Sequence, residues 1–419
     1  MHRRTIGAAV VSLAAAVSAE PPDLDLDLLI EEALTSNLSL QVLTHGAAAA
    51  RAGVAAAGAL PDPGLKVELS NVPFRPLDID GSPMSGRQVT LSQKLPWAGK
   101  RAARERVASH AAAAAEATRQ EREGTIVNLV KQAWFDLGFL DRSIAITEKN
   151  RALLRDFVRI ARTKYSVGRV PQQDVLKAQV SLSNLRRHLL HMEGERRRTG
   201  ARLNTLLDRD PREPVGRIPA RERTPLELEA VRLLELALDE RPLLRGLNEG
   251  RERWRAAEEL AVLDRRPDFE VTAGWRQRGF EDDPVSGSDF FSVGVMMTLP
   301  VYKGRKQDSR IAEARARVRE AEARIEAQVR ELALRIEELH VDAETHLQEM
   351  SLFRDVIIPQ ADQSLAAAIA GYQVDEVDFL TLLDNQMTLL EFEIDYHRHL
   401  SQYEKSLAHL ESVVGRRLF

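Results

Sequence analysis

The sequence predicts a mainly α-helical protomer with a small β part, written twice along one chain. Three observations carry this. Two long stretches, Ala98 to Lys164 and Lys303 to Gly371, are rich in Ala, Glu and Arg and hold one proline between them, Pro359. Four short segments alternate apolar and polar residues with the period of a strand. A series of landmarks also returns at nearly constant spacing, the signature of an internal repeat.

The landmarks fix the duplication. Leu95-Pro96 returns as Leu299-Pro300, 204 residues on, and Pro61-Asp62 as Pro267-Asp268, 206 on. Tyr165 in KYSVGRVPQQDVLKAQ returns as Tyr372 in GYQVDEVDFLTLLDNQ, 207 on, and IEEALTSN (Ile30 to Asn37) is echoed by LELALDER (Leu234 to Arg241). Each half therefore reads helix, strand, loop, strand, very long helix, turn, helix.

In chain order, MHRRTIGAAVVSLAAAVSAE has a positive flank, a short apolar run and a small-residue cleavage site. This predicts a secretory signal peptide over residues 1–19. The first repeat covers 20–207, with strands at about 64–72 and 87–95: Leu65, Val67 and Leu69 alternate with Lys66, Glu68 and Ser70, and Val89 and Leu91 with Gln88, Thr90 and Ser92. A long helix over 98–164 follows, roughly 100 Å at ~1.5 Å per residue, then a turn and a return helix. The Pro- and charge-rich stretch 208–224 links the halves. The second repeat, 225–419, places strands at about 268–277 and 289–299, where Phe269, Val271, Ala273 and Trp275, then Phe291, Val293, Val295, Met297 and Leu299, occupy alternate positions. Its long helix spans 303–371, and Pro359 is expected to kink or break it.

Composition removes several function classes. The net charge is −4 with both signs interspersed, so no basic field points to nucleic acid. Cysteine is absent, which excludes disulfides, thiolate chemistry and an acylated N-terminal Cys. Beyond the signal peptide no run approaches the ~18 apolar residues of a spanning helix, so a membrane would be entered by strands. Four strands cannot close a transmembrane barrel, and lipid does not tolerate open edges; two copies would supply eight strands, three would supply twelve. Soluble hairpins packed on a helical layer are the alternative. The thin apolar stripes of the long helices suit coiled-coil-like packing between neighbours.

Other signals carry less. No P-loop, dinucleotide fingerprint, nucleophile elbow or HExxH is present, so no catalytic residue, metal ligand or cofactor is expected. AGKR lacks the Walker glycine spacing. Met296-Met297 places one side chain on each face of a strand. The histidine pairs His188 and His191, His340 and His346, and His397 and His399 show no carboxylate or Cys partners at ligand spacing and are expected to be surface residues.

The whole mature chain resembles the outer-membrane efflux protein family typified by TolC. The stretches that carry the resemblance are ALPDPGLKVEL (Ala59 to Leu69), LSQKLPWAGKR (Leu91 to Arg101), Lys164 to Gln179, ARLNTLL (Ala201 to Leu207) and Ile357 to Glu393. The LPDP and Q-x-LPW-x-GK forms are similar to the branch that serves heavy-metal efflux pumps. The resemblance implies a homotrimer, with a twelve-stranded barrel in the lipid of a Gram-negative outer membrane continuous with a long periplasmic helical barrel. It also implies partners: a periplasmic adaptor and an inner-membrane transporter that supplies the energy. The duct would do no chemistry. A periplasmic adaptor or a secreted coiled-coil structural protein are the rival classes, separated by whether the chain inserts in the outer membrane.

The resemblance further places a constricted aperture and the adaptor contact at the turn below each long helix. The first turn carries Tyr165, Gly168 and Arg169, followed by Asp174; Gly168 suits a turn that needs positive φ. The second carries Tyr372 and Asp375, with Asp where the family has Gly, followed by Asp384. Asp174 and Asp384 are expected to form acidic rings that favour cations, or else to be solvated carboxylates on helix starts. Trp97 and Tyr302, just after the Leu-Pro joints, are expected at the membrane interface. At Asn37-Leu38 the family often has Asn-Pro.

Overall fold

A computed structural model describes residues 24–75, 77–219, 223–279 and 288–418; the signal-peptide reading of residues 1–19 lies outside them. The first half contains α1 (Leu26–Ser36), α2 (Leu38–Gly58), β1 (Gly64–Ser70), β2 (Gly86–Leu95), α3 (Lys100–Ser166) and α4 (Gln172–Leu206). The second repeats the order with α5 (Ala230–Glu240), α6 (Pro242–Leu263), β3 (Asp268–Gln277), β4 (Phe290–Thr298), α7 (Gln307–Leu352), α8 (Ile358–Gln373) and α9 (Phe379–Val414). The chain divides into two compact units. One takes the residues up to Thr35 with Leu129–Thr224 and Ala343–Lys405; the other takes Ser36–Asn128, Pro225–Asp342 and the residues from Ser406 onward.

The second unit holds the four strands in one antiparallel sheet, in order β1-β2-β3-β4. The register aligns the alternation across every strand pair: Val67 faces Val89, Leu91 faces Ala273, Val89 faces Trp275, and Val271 faces Val295. Side chains of period two on aligned strands give one face mainly of Leu, Val, Phe, Met and Trp, interrupted by Gln93, and one mainly of Lys, Glu, Gln, Ser, Thr and Arg, which also carries Phe290 and Met296. The polar face is internally bonded. Arg276 donates to Gln88 Oε1 at 2.9 and 3.1 Å, and Lys66 pairs with Glu68 at 2.5 Å. Among the described residues much of the apolar face is left uncovered: Leu65 is 69 % exposed, Val67 73 % and Val295 68 %. Each such side chain forgoes about 1.5–3 kcal/mol by staying in water, so this face belongs against an apolar medium.

The first joint between strand and long helix is a built corner. Gly99 adopts φ +91°, open to glycine and strained for other residues, and Lys100 then starts α3. Lys100 is 2 % exposed; its Nζ donates to Asp268 Oδ1 at 2.9 Å and to the Arg266 carbonyl at 3.0 Å. The joint of the first repeat is thus fastened to the strand start of the second. The bend between the short helices is capped differently in each half. Asn37 accepts from the Ser39 and Leu40 amides, so its side chain starts α2 without proline, whereas α6 starts with Pro242 at its first position.

In the other unit, segments of α3, α4, α8 and α9 share a core that includes Leu154, Phe157, Ala161, Ala178, Leu185, Leu365, Phe379 and Leu382. The expected interruption at Pro359 takes a specific form. A π-helical turn at Phe353–Ile357 leads into Pro359, which sits in the first turn of α8. The wider turn accommodates a residue that cannot donate to the carbonyl four positions back, and helical backbone continues on both sides.

Candidate functional site at the helix turns

The two turns close their helices with one hydrogen bond in common, from an amide to the carbonyl five residues back. At the first, the Gly168 amide donates to Tyr165 O at 3.0 Å and the Arg169 amide to Lys164 O at 2.9 Å, with Gly168 at φ +75°. This is a Schellman cap with glycine in the left-handed position. At the second, Asp375 takes that position with φ +65°, and the Glu376 amide donates to Gly371 O at 2.9 Å. Asp enters left-handed backbone at lower cost than most residues, so the turn survives the departure from Gly.

Asp375 also gains partners that glycine could not have. Lys164 Nζ donates to Asp375 Oδ1 at 2.5 Å and to the Tyr372 carbonyl at 2.5 Å, and it stands 4.3 Å over the Tyr372 ring. Arg169 approaches the other carboxylate oxygen at 3.6 Å. One carboxylate therefore ties the first turn to the second. The Lys164 hydrogen bond, with the charges of Lys164 and Arg169, holds the Asp375 carboxyl below its ordinary value.

The expected residues fall into different environments. Tyr165 is exposed and Arg169 exposed, while Tyr372 is only 4 % exposed and packs edge-on against Phe379 at 5.7 Å. Within the chain the Tyr372 ring is a platform for Lys164. Asp174 is half-buried in the first turn of α4; desolvation and then the charge of Asp378 push its carboxyl above its ordinary value. Asp384 is exposed on α9, and the carboxylate acting on Asp174 is Asp378 instead. Asp378 caps α9, accepting from the Thr381 amide at 2.9 Å and hydroxyl at 2.8 Å. Its signal was in the sequence, as an Asp-x-x-Thr before an apolar run. At the joints, Trp97 stacks on Phe269 with centroids 6.0 Å apart, and Tyr302 is 75 % exposed.

One expectation for the histidines is corrected. His346 and His399 are distant in sequence, but α7 and α9 bring them together with Glu349, their ligand atoms within 4.8 Å of one another. Glu349, one helical turn after His346, was readable in the sequence; the second imidazole, His399 from α9, was not, because only helix packing brings it there.

A four-stranded sheet with a largely uncovered apolar face, joined to helices of 67 and 46 residues and capped by matched turns, describes a membrane channel subunit. The chain belongs to the outer membrane efflux protein family, whose sequence pattern matches residues 29–209 and again 233–416. It is 22 % identical over 400 residues to the cobalt-zinc-cadmium resistance protein CzcC of Cupriavidus metallidurans, covering 94 % of this chain and 90 % of that one. Its fold is similar to that of CusC, with TM-score 0.78, 16 % identity, and 94 % and 93 % of the two chains covered. It is likewise similar to the outer membrane protein VceC of Vibrio cholerae, with TM-score 0.79, 20 % identity, and 93 % and 96 % covered. The protein is an outer-membrane efflux channel of a Gram-negative cell, the exit duct of a tripartite pump, in a family of channels and not of enzymes.

Proposed function

We propose that three copies of the chain build one duct, each giving four strands to a twelve-stranded barrel continuous with a periplasmic helical cylinder. Residues 20–207 and 225–419 are its two repeats, 208–224 the linker, and 1–19 the removed signal peptide. The observation that carries this is the sheet: one face mainly apolar and exposed on all four strands, with β1 and β4 as its edges. Open edges are not stable in lipid and four strands do not close, so copies must pair edge to edge.

The helix turns are the periplasmic aperture and the surface that meets an adaptor, which connects the duct to an inner-membrane transporter. Tyr165 and Arg169 are the exposed contacts; Gly168, Tyr372 and Asp375 hold the turns in shape. Trp97 and Tyr302 lie at the membrane interface. The cargo is a heavy-metal cation. The name of the relative CzcC and the acidic residues beside the turns, Asp174, Asp378 and Asp384, support that reading. Carboxylates repeated in three copies favour cations.

Single-channel recording in a planar bilayer tests this. The wild type is expected to form a cation-selective pore, with selectivity falling in Asp174→Ala or Asp384→Ala. A pore equally selective in both variants would remove the acidic aperture and keep the duct.

A further inference from the structure

Away from the turns, one side-chain cluster has the geometry of metal ligands. α7 carries His346 and Glu349 one helical turn apart on a shared face, and α9 brings His399 against them. His399 Nδ1 lies 2.7 Å from Glu349 Oε2; His346 Nδ1 lies 3.3 Å from that oxygen and 3.2 Å from His399 Nδ1. Ligand atoms around a tetrahedral zinc, bound at about 2.0–2.1 Å, stand about 3.3 Å apart. Two edges of the triangle already match, and only the His399–Glu349 edge must open. With protons alone, either one Nδ1–H is shared between the Glu349 oxygen and the facing Nδ1, at 2.7 and 3.2 Å, or two like donors face each other. A divalent ion satisfies all three lone pairs together.

The ring of His399 is also held in place. Phe353 stacks on it with centroids 5.5 Å apart at 24°, and Phe353 in turn meets Phe392 at 5.9 Å. Phe353 is the first residue of the π-helical turn, a feature often found at functional sites. All three ligand side chains are partly buried, with Glu349 the most open, so water can complete the coordination.

We propose that His346, Glu349 and His399 bind one divalent transition-metal ion, Zn2+ fitting best, which ties α7 to α9 just ahead of the π-helical turn. Two imidazoles and one carboxylate suit zinc and its neighbours, whereas Mg2+ and Ca2+ take all-oxygen sets. The site stands on this geometry and holds whatever the duct's cargo is.

Titration calorimetry of the tag-free, detergent-purified full chain with Zn2+ tests it, with Mg2+ as control and the visible absorption of bound Co2+ as reporter. One Zn2+ per chain is expected, not displaced by Mg2+. Glu349→Gln and His399→Gln should each weaken it at least about tenfold, with helicity by circular dichroism unchanged. If His399→Gln fails to assemble, Glu349→Gln and His346→Gln on α7 decide the matter. Absence of saturable Zn2+ binding in the wild type, or binding unchanged in the α7 variants, would leave a hydrogen-bonded triad only and overturn the site. Neither result bears on pore formation.

Discussion

Asp375 concentrates the residue-scale physics of the turns. It occupies a left-handed position that Gly168 fills in the first repeat, and its carboxylate receives Lys164 and Arg169 from the opposite turn. Because the folded carboxyl is held below its ordinary value, the link is fully present above the unfolded value and is lost as pH falls through the lower, folded one. Channel recordings across acid pH should therefore change as the link releases, and Asp375→Asn should abolish that change while keeping the turn. Asp174 has the opposite sign. Burial and Asp378 raise its carboxyl, so its charge opposes folding at neutral pH, and Asp174→Asn should unfold at slightly higher temperature than the wild type. Gly168→Ala should cost about 1 kcal/mol in denaturant unfolding, the strain of a Cβ at φ +75°. Gly168 was legible because a turn residue announces its own backbone. Lys164 was not, because its partner lies 211 residues away and only tertiary packing joins them.

At the scale of elements, the strands and long helices were legible because each pattern is local. The expected strand at 87–95 is β2 at 86–95, and the expected helix at 98–164 is α3 at 100–166, since alternation and an uninterrupted helix-forming run need no distant information. Pro359 was legible as an interruption, but the π-helical turn before it was not; how a helix absorbs a proline depends on its packing. Lys100 reads in sequence as one more charge in a basic joint. Its burial follows from Asp268 and the Arg266 carbonyl, both supplied by the other repeat. Lys100→Met takes the donor from the Arg266 carbonyl and the counter-charge from Asp268, which keeps the Trp97 amide at 2.8 Å, and thermal unfolding followed by circular dichroism should show a loss on the order of 1–3 kcal/mol. The loss stays below that of a fully buried pair because Asp268 remains partly exposed. An unchanged melting curve would mean the corner is held by its backbone alone.

For the whole molecule, duplication turns one observed seam into a specification for another. The β2–β3 pairing joins the repeats within a chain, setting Leu91 opposite Ala273. Moved by the repeat offsets, that pair becomes Val295 on β4 and Val67 on β1 of the next copy. Both side chains lie on the exposed apolar face, and the chain contains no cysteine to confuse a cross-link. The copy number was not legible in strand count alone, which allows eight strands or twelve. The most direct measurement is oxidative cross-linking of the Val67→Cys/Val295→Cys variant in isolated outer membranes, with each single variant as control. Edge-to-edge closure predicts covalent species ending at three copies, formed only when both cysteines are present. Monomers alone from the folded, membrane-inserted double variant, or a ladder that stops at two copies, would contradict the three-copy barrel.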